Sequence, residues 1–220
     1  MIDADERSIV VEKLQATGVV AVVRLADGGQ LRQVARALWD GGVRAIEITM
    51  TVPGAVAIIA SLAAELPEEF LVGAGTVLDA ATAHEVIRAG ARFVVSPVFK
   101  SEIVDACRER RCAVIPGAFT PTEIVCAWDA GADIVKVFPC TSLGPDYFKD
   151  LRGPLPQVRL MPTGGVTREN AADWIRAGAV AVGAGTALVD PAAVGTGRFD
   201  TIRDNARAFI RDRSWVSANG

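Results

Sequence analysis

The sequence predicts a (β/α)8 TIM barrel with an N-terminal helix covering the barrel bottom, and three observations carry that prediction. Short β-branched runs alternate with helical patterns, the mark of βα units around a parallel sheet. A helix-ending glycine followed by a strand recurs at Gly42, Gly90, Gly131 and Gly178, each step spanning about two βα units. At 220 residues, half of them apolar, the chain suits one large α/β domain. No linker, low-complexity stretch or composition break divides it, so the expected domain runs from 1 to 220.

The elements follow in order. A helix over roughly Asp5–Ala16 precedes the first strand and would cover the barrel bottom. The strands are expected at Val19–Arg24, Ala45–Thr49, Leu71–Thr76, Phe93–Pro97, Ala113–Gly117, Ile134–Pro139, Arg159–Thr163 and Val180–Gly185. After the first of them, Asp27 can cap a helix whose Leu31, Val34, Ala35 and Leu38 follow the i, i+3, i+4, i+7 spacing and which ends at Gly41-Gly42. Thr120-Pro121-Thr122-Glu123 reads as a capping box with proline at the first helical position. Phe199, Ile202, Ala206, Phe209 and Ile210 line one face of a closing helix.

Within this frame Lys136 is out of place. The chain has four lysines against nineteen arginines, and this one lies in Ile134-Val135-Lys136-Val137-Phe138-Pro139, without a charged neighbour. A charged amine costs several kcal/mol to bury, so a strand lysine tends to give up its proton. A neutral amine can attack a carbonyl and form a Schiff base. The plainer reading is a buried stem with its charge at the rim. If the repeated glycines set a common register, Glu47, Val95, Lys136 and Gly183 share one layer of the interior. The second and sixth strands face each other, so Glu47 would point at Lys136, and Gly183 would leave room for a small ligand. That pair is either a base opposite an amine or a structural ion pair.

The other site candidates lie at C-terminal strand ends, where barrel active sites sit. Pro162-Thr163-Gly164-Gly165-Val166 and Gly183-Ala184-Gly185-Thr186 end the last two strands; glycines there let backbone N–H groups approach an anion, and phosphate is the expected ligand. Gly73-Ala74-Gly75-Thr76 offers a similar approach with a hydroxyl, and Arg24 is a candidate anion clamp or a surface ion-pair partner. His84, the one histidine, falls in the polar part of a helix. With no clustered acids beside it, a protein-held catalytic metal is not expected. Cys107, Cys112, Cys126 and Cys140 lack CxxC spacing and read as small core or surface residues of a reduced cytoplasmic protein, Cys140 being the one that could approach a site. A net charge of −3 gives no reason to expect nucleic acid or an anionic membrane as partner, and no apolar run reaches the length of a membrane span.

Taken together these residues resemble the class I 2-keto-3-deoxy-6-phosphogluconate (KDPG) aldolase family, which also covers 4-hydroxy-2-oxoglutarate (KHG) aldolases. The resemblance runs from about Val19 to Leu188. It rests on Gly41-Gly42-Val43 with Glu47-Ile48-Thr49, Gly73-Ala74-Gly75-Thr76-Val77, Ser96-Pro97, Ile115-Pro116-Gly117, Lys136-Val137-Phe138-Pro139 and Pro162-Thr163-Gly164-Gly165. It implies a homotrimeric (β/α)8 barrel without metal or cofactor, whose partner is a small phosphorylated 2-keto acid. Lys136 would be the Schiff-base lysine and Glu47 the general acid/base. Thr76 would bind the pyruvate part, Phe138 would wall the pocket, and Pro97 would stand beside the substrate. Thr163, Gly164, Gly165, Gly185 and Thr186 would bind phosphate. One departure stands out: many members carry a carboxylate-binding arginine where this chain has Thr51. The clamp then falls to Arg24 and the Thr76 hydroxyl, and the side chains at Thr51 and Val98-Phe99 bear on which keto acid is preferred. The expected reaction is reversible cleavage of KDPG to pyruvate and glyceraldehyde 3-phosphate, or of 4-hydroxy-2-oxoglutarate to pyruvate and glyoxylate. The galactonate epimer of KDPG, a sugar-phosphate isomerase or epimerase, and a non-catalytic sugar-phosphate binding module are the alternatives.

Overall fold

The computed structural model describes residues 6–211, so the expected helix start at Asp5 and the outer ends of the 1–220 domain lie outside the described residues. A first helix, α1 (Glu6–Thr17), precedes β1 (Val19–Val23), α2 (Leu31–Asp40), β2 (Ala45–Thr49), α3 (Ala55–Glu65), β3 (Leu71–Gly75) and α4 (Ala80–Arg88). There follow β4 (Phe93–Val95), α5 (Ser101–Glu109), β5 (Ala113–Ile115), β6 (Gly117–Ala118), α6 (Pro121–Asp129), β7 (Val135–Val137) and α7 (Pro145–Arg152). The chain closes through β8 (Leu160–Pro162), α8 (Arg168–Arg176), β9 (Val182–Ala184), α9 (Pro191–Gly195) and α10 (Phe199–Arg211).

All strand pairs are parallel, and the fold is α/β as expected. The ladders form two sheets rather than one ring. Six strands run in the order β5-β4-β3-β2-β1-β9, and β6-β7-β8 form a second sheet. The expected fifth strand, Ala113–Gly117, is split at Pro116, which has no N–H to give to a ladder. The Pro116 carbonyl still accepts from the Lys136 N–H at 2.9 Å. On the other side the two sheets meet through isolated bridges, Leu160 with Ala179 and Thr163 with Gly183.

The four repeated glycines do what their spacing predicts. Gly42, Gly90, Gly131 and Gly178 adopt φ of 96°, 102°, 97° and 103°, a left-handed conformation open to glycine. Each ends its helix with the same pair of backbone bonds: Gly42 N–H to Trp39 O and Val43 N–H to Leu38 O, and likewise in the other three. Identical helix stops feed β2, β4, β7 and β9 into the interior in one register. The capping box at Thr120 and Glu123 is present, with Pro121 at the first helical position. Asp27, by contrast, does not cap α2. Its Oδ1 accepts from the Gly29 N–H at 2.9 Å, and the helix begins after Gln30 without a side-chain cap. Gly28-Gly29 add a turn in between, and Gly28 lies so close to Ile58 that a Cβ would overlap it.

The apolar residues form two shells. One fills the space between strands and outer helices, with Leu31, Val34, Ala35 and Leu38 of α2 and Ile202, Ala206 and Phe209 of α10. The other lies inside: Val20, Ala45, Leu71, Phe93, Ala113, Ile134, Met161 and Ala181 of successive strand segments meet Val10, Val11 and Leu14 of α1. The first helix thus covers the interior at one end, as expected. It is fastened there by Arg7, whose guanidinium donates to Asp133 at 2.8 Å and to the Gly131 carbonyl at 2.7 Å. No described helix is long and apolar enough to cross a membrane.

Candidate active site

Lys136 and Glu47 meet in the interior although their strands belong to different sheets. Lys136 Nζ lies 3.7 Å from Glu47 Oε1, and the two side chains are 7% and 1% exposed. That spacing is an ion-pair distance but longer than a hydrogen bond. Neither carboxylate oxygen of Glu47 has a hydrogen-bond partner. Buried acceptors are nearly always bonded, so an unsatisfied carboxylate facing an amine is a strong mark of a reactive place.

Small neighbours make the arrangement possible. Glu47 and Gly73 are register partners, and Thr49 pairs with Gly75. A Cβ at Gly75 would overlap Glu47 Oε1, so the glycine is the space in which the carboxylate lies. Gly183 corrects the expectation made of it. The room left by its missing side chain is filled by Thr163, whose Oγ1 a Cβ there would overlap. Thr163 is buried, and that hydroxyl too has no hydrogen-bond partner.

The pair opens into a cavity of about 760 Å³, within the usual range for small-molecule sites. Arg24, Thr76, Pro97 and Phe138 line it beside Lys136 and Glu47. So do Thr163, Gly164, Gly165, Gly185 and Thr186 from the loops after β8 and β9. Phe138 places its ring 5.2 Å from Lys136 Nζ, within cation–π range for a protonated amine. Arg24 is exposed and makes no ion pair with a described residue. Thr76 has φ of 58°, a conformation uncommon for a β-branched residue. Ser96 bonds the Val98 carbonyl at 2.7 Å and so holds the turn that carries Pro97. Gly164 and Gly165 have φ of 88° and 74°, which only glycine adopts freely.

Thr51 stands apart. It is exposed, lies outside the cavity lining, and its hydroxyl is 2.8 Å from that of Thr49, which in turn donates to the Val23 carbonyl. Cys140 also stays out: its thiol is buried, contacts the Val137 carbonyl at 3.2 Å, and is pushed up to about 11 by burial. His84 sits on α4, away from the lining. Among the described residues no three His, Cys, Asp or Glu side chains are grouped to hold a metal ion. Two contributions were not foreseen: the first turn of α8, through Arg168 and Glu169, and Asn205 of α10 both reach the cavity. The sequence carries a faint sign of the second, a mid-helix asparagine on a segment that is, Thr201 apart, charged or apolar.

The chain is similar to known aldolases along most of its length. The family model described as KDPG and KHG aldolase matches residues 10–204. The KHG/KDPG aldolase of Escherichia coli strain K12 is 36% identical over 201 residues, covering 90% of this chain and 94% of that protein. The 2-dehydro-3-deoxy-6-phosphogalactonate aldolase of the same strain is 36% identical over 153 residues, 69% of this chain and 75% of that protein. The crystal structure of KDPG aldolase from Legionella pneumophila, with pyruvate captured at low pH as a covalent carbinolamine intermediate, superposes with a TM-score of 0.84. It is 28% identical, covering 90% of this chain and 97% of that one.

Proposed function

From the premise that the chain belongs to the KDPG and KHG aldolase family and is a carbon–carbon lyase, we propose that its reaction runs through an imine on Lys136. The observation that carries the proposal is the buried amine 3.7 Å from a carboxylate with no other partner. The carbinolamine in the Legionella relative is the kind of intermediate such an amine would form.

The steps follow from the placement. Glu47 receives the proton that the Lys136 ammonium must lose, and the neutral amine adds to the C2 carbonyl of the keto acid. The carbinolamine takes up a proton and expels water, leaving a protonated imine. Glu47 then removes the C4 hydroxyl proton as the C3–C4 bond breaks. The bonding pair flows into the imine to give an enamine rather than an unstabilised carbanion, and the aldehyde half is released. Protonation of the enamine at C3 by Glu47, directly or through a water, restores the imine. Hydrolysis frees pyruvate and the amine. With KDPG the aldehyde is glyceraldehyde 3-phosphate; with 4-hydroxy-2-oxoglutarate it is glyoxylate. No metal or cofactor enters these steps.

Arg24 and the Thr76 hydroxyl would take the keto-acid carboxylate, while Thr51 is engaged through its hydroxyl with Thr49. Pro97 and Phe138 would wall the reacting carbons. Thr163, Gly164, Gly165, Gly185 and Thr186 would hold the phosphate and orient the aldehyde half, using binding energy remote from the bond that breaks. The two sheets would complete one (β/α)8 barrel. That reading is supported by the backbone bonds across Pro116, the bridges beside β9, and the meeting of β2 and β7 side chains inside. The homotrimer and the cytoplasmic location implied by the resemblance complete the proposal.

Family membership sets aside the isomerase and the non-catalytic module. The phosphogalactonate relative keeps the epimeric substrate as the second reading. A panel of KDPG, its galactonate epimer and 4-hydroxy-2-oxoglutarate, with pyruvate detected in a coupled assay, decides the preference. The mechanism is tested by borohydride reduction in the presence of pyruvate. A stable mass addition at Lys136 is expected, and Lys136→Ala should lose at least about 4 kcal/mol of transition-state stabilisation, or some thousandfold in rate. Intact turnover without any adduct would sink the imine.

A further inference from the structure

Two helices, α6 and α8, begin with a capping box, and they fill its last position differently. In α6 that residue is Glu123, whose carboxylate can only accept and takes the N–H groups of Thr120 and Phe119. In α8 it is Asn170, a carboxamide that has a donor as well. Its Oδ1 accepts from the Thr167 N–H at 2.8 Å, which closes the cap, and its Nδ2 donates to the Gly165 carbonyl at 2.9 Å. The second bond leaves the helix and ties it to the loop after β8. Gly164 and Gly165 of that loop both have left-handed φ, and glycine has more backbone freedom to lose than any other residue. The peptide joining Gly165 to Val166 is trans, so its N–H points away from the carbonyl that Asn170 holds. Gly165 and Val166 line the cavity, and neither N–H donates to a described residue.

We propose that Asn170 is a positioning residue: by holding the Gly165 carbonyl it fixes the Gly165–Val166 peptide with the Val166 N–H presented to the phosphate of the substrate. This rests on the preceding reading in one respect, that the phosphate occupies the loops after β8 and β9. A donor aimed in advance needs no ordering when the anion arrives, whereas a two-glycine loop left to itself must be ordered by the ligand. A glutamate would close the cap as well. Only a side chain with an acceptor and a donor joins the cap to the loop.

The test compares two reactions of the whole chain: KDPG cleavage, and exchange of pyruvate methyl protons with solvent, which lacks the phosphate half. In Asn170→Ala the ratio of kcat/KM for cleavage to kcat/KM for exchange should fall about tenfold, the scale of one or two hydrogen bonds, with the loss mainly in KM. Asn170→Asp separates the two bonds, since it keeps an acceptor for the Thr167 N–H and has no donor for Gly165. It should melt no lower than the alanine variant and still show a low ratio. Thr120→Ala, which breaks the capping box of α6 instead, controls for destabilisation and should leave the ratio unchanged. A wild-type ratio in either Asn170 variant overturns the proposal, as does an equal fall in Thr120→Ala. Thr186→Ala, on the loop after β9, judges the phosphate placement separately. A fall there with none in Asn170→Ala refutes the Asn170 assignment alone, and no fall in either refutes the placement with it.

Discussion

At the scale of single residues, the site is shaped by side chains that are missing as much as by those present. Gly75 has an ordinary extended backbone, so its identity is not demanded by conformation. It is demanded by Glu47, whose carboxylate lies where a Cβ would be. Gly75→Ala should therefore displace the carboxylate from Lys136, lowering kcat at least tenfold, and cost about 1–3 kcal/mol of stability through overpacking. Steady-state kinetics beside chemical denaturation check both numbers. A variant with full activity would show that Glu47 reaches its working position some other way. The meeting of Glu47 and Lys136 could be read from residue type and surroundings, because a carboxylate and an amine in apolar strands are conspicuous. The contents of the space beside Gly183 could not, since only the folded chain shows that Thr163 turns into it.

Among the elements, the helix boundaries divide into those the sequence states and those it leaves to packing. The capping box of α6 is of the first kind: Thr120 Oγ1 accepts from the Glu123 N–H, and Glu123 accepts from the N–H groups of Thr120 and Phe119. Thr120→Ala should cost about 1 kcal/mol, measured by denaturant unfolding. Donation from the Thr120 and Phe119 backbone holds the Glu123 carboxyl below its ordinary range. A carboxyl lowered by folding stabilises the protein above its unfolded pKa, and the benefit is lost as pH falls through the folded one. The melting-temperature gap between wild type and Glu123→Gln should accordingly be present at neutral pH and close in acid. A gap that widens in acid would contradict the capping role. The start of α2 is of the second kind. Asp27 has the composition of a cap, yet Gly28-Gly29 insert a turn that brings the chain against Ile58, a contact no local pattern reveals.

For the whole molecule, the repeat of four glycines carried more information than any single motif. Their common left-handed conformation and common pair of backbone bonds put β2 and β7 in register, and with them Glu47 and Lys136. Long-range consequences of this kind are legible because the same local device is used each time. The division into two sheets was not legible, because Pro116 breaks the hydrogen-bond ladder without ending the run of apolar residues. Asn205 was not legible either, since which face of the last helix looks into a cavity depends on how all the helices pack.

The first helix, fastened by Arg7 to Asp133, fills one end of the interior with Val10, Val11 and Leu14. The reaction space is then a cul-de-sac, and traffic through it has an order. On the proposed imine mechanism, the aldehyde, held by no covalent bond, must leave by the way the substrate came in while the keto acid is still tethered to Lys136. Pyruvate is last out and, run backward, first in. Product-inhibition kinetics should show pyruvate competing with the substrate and the aldehyde giving a mixed pattern. The reverse assignment would mean that the closed end is not closed during turnover.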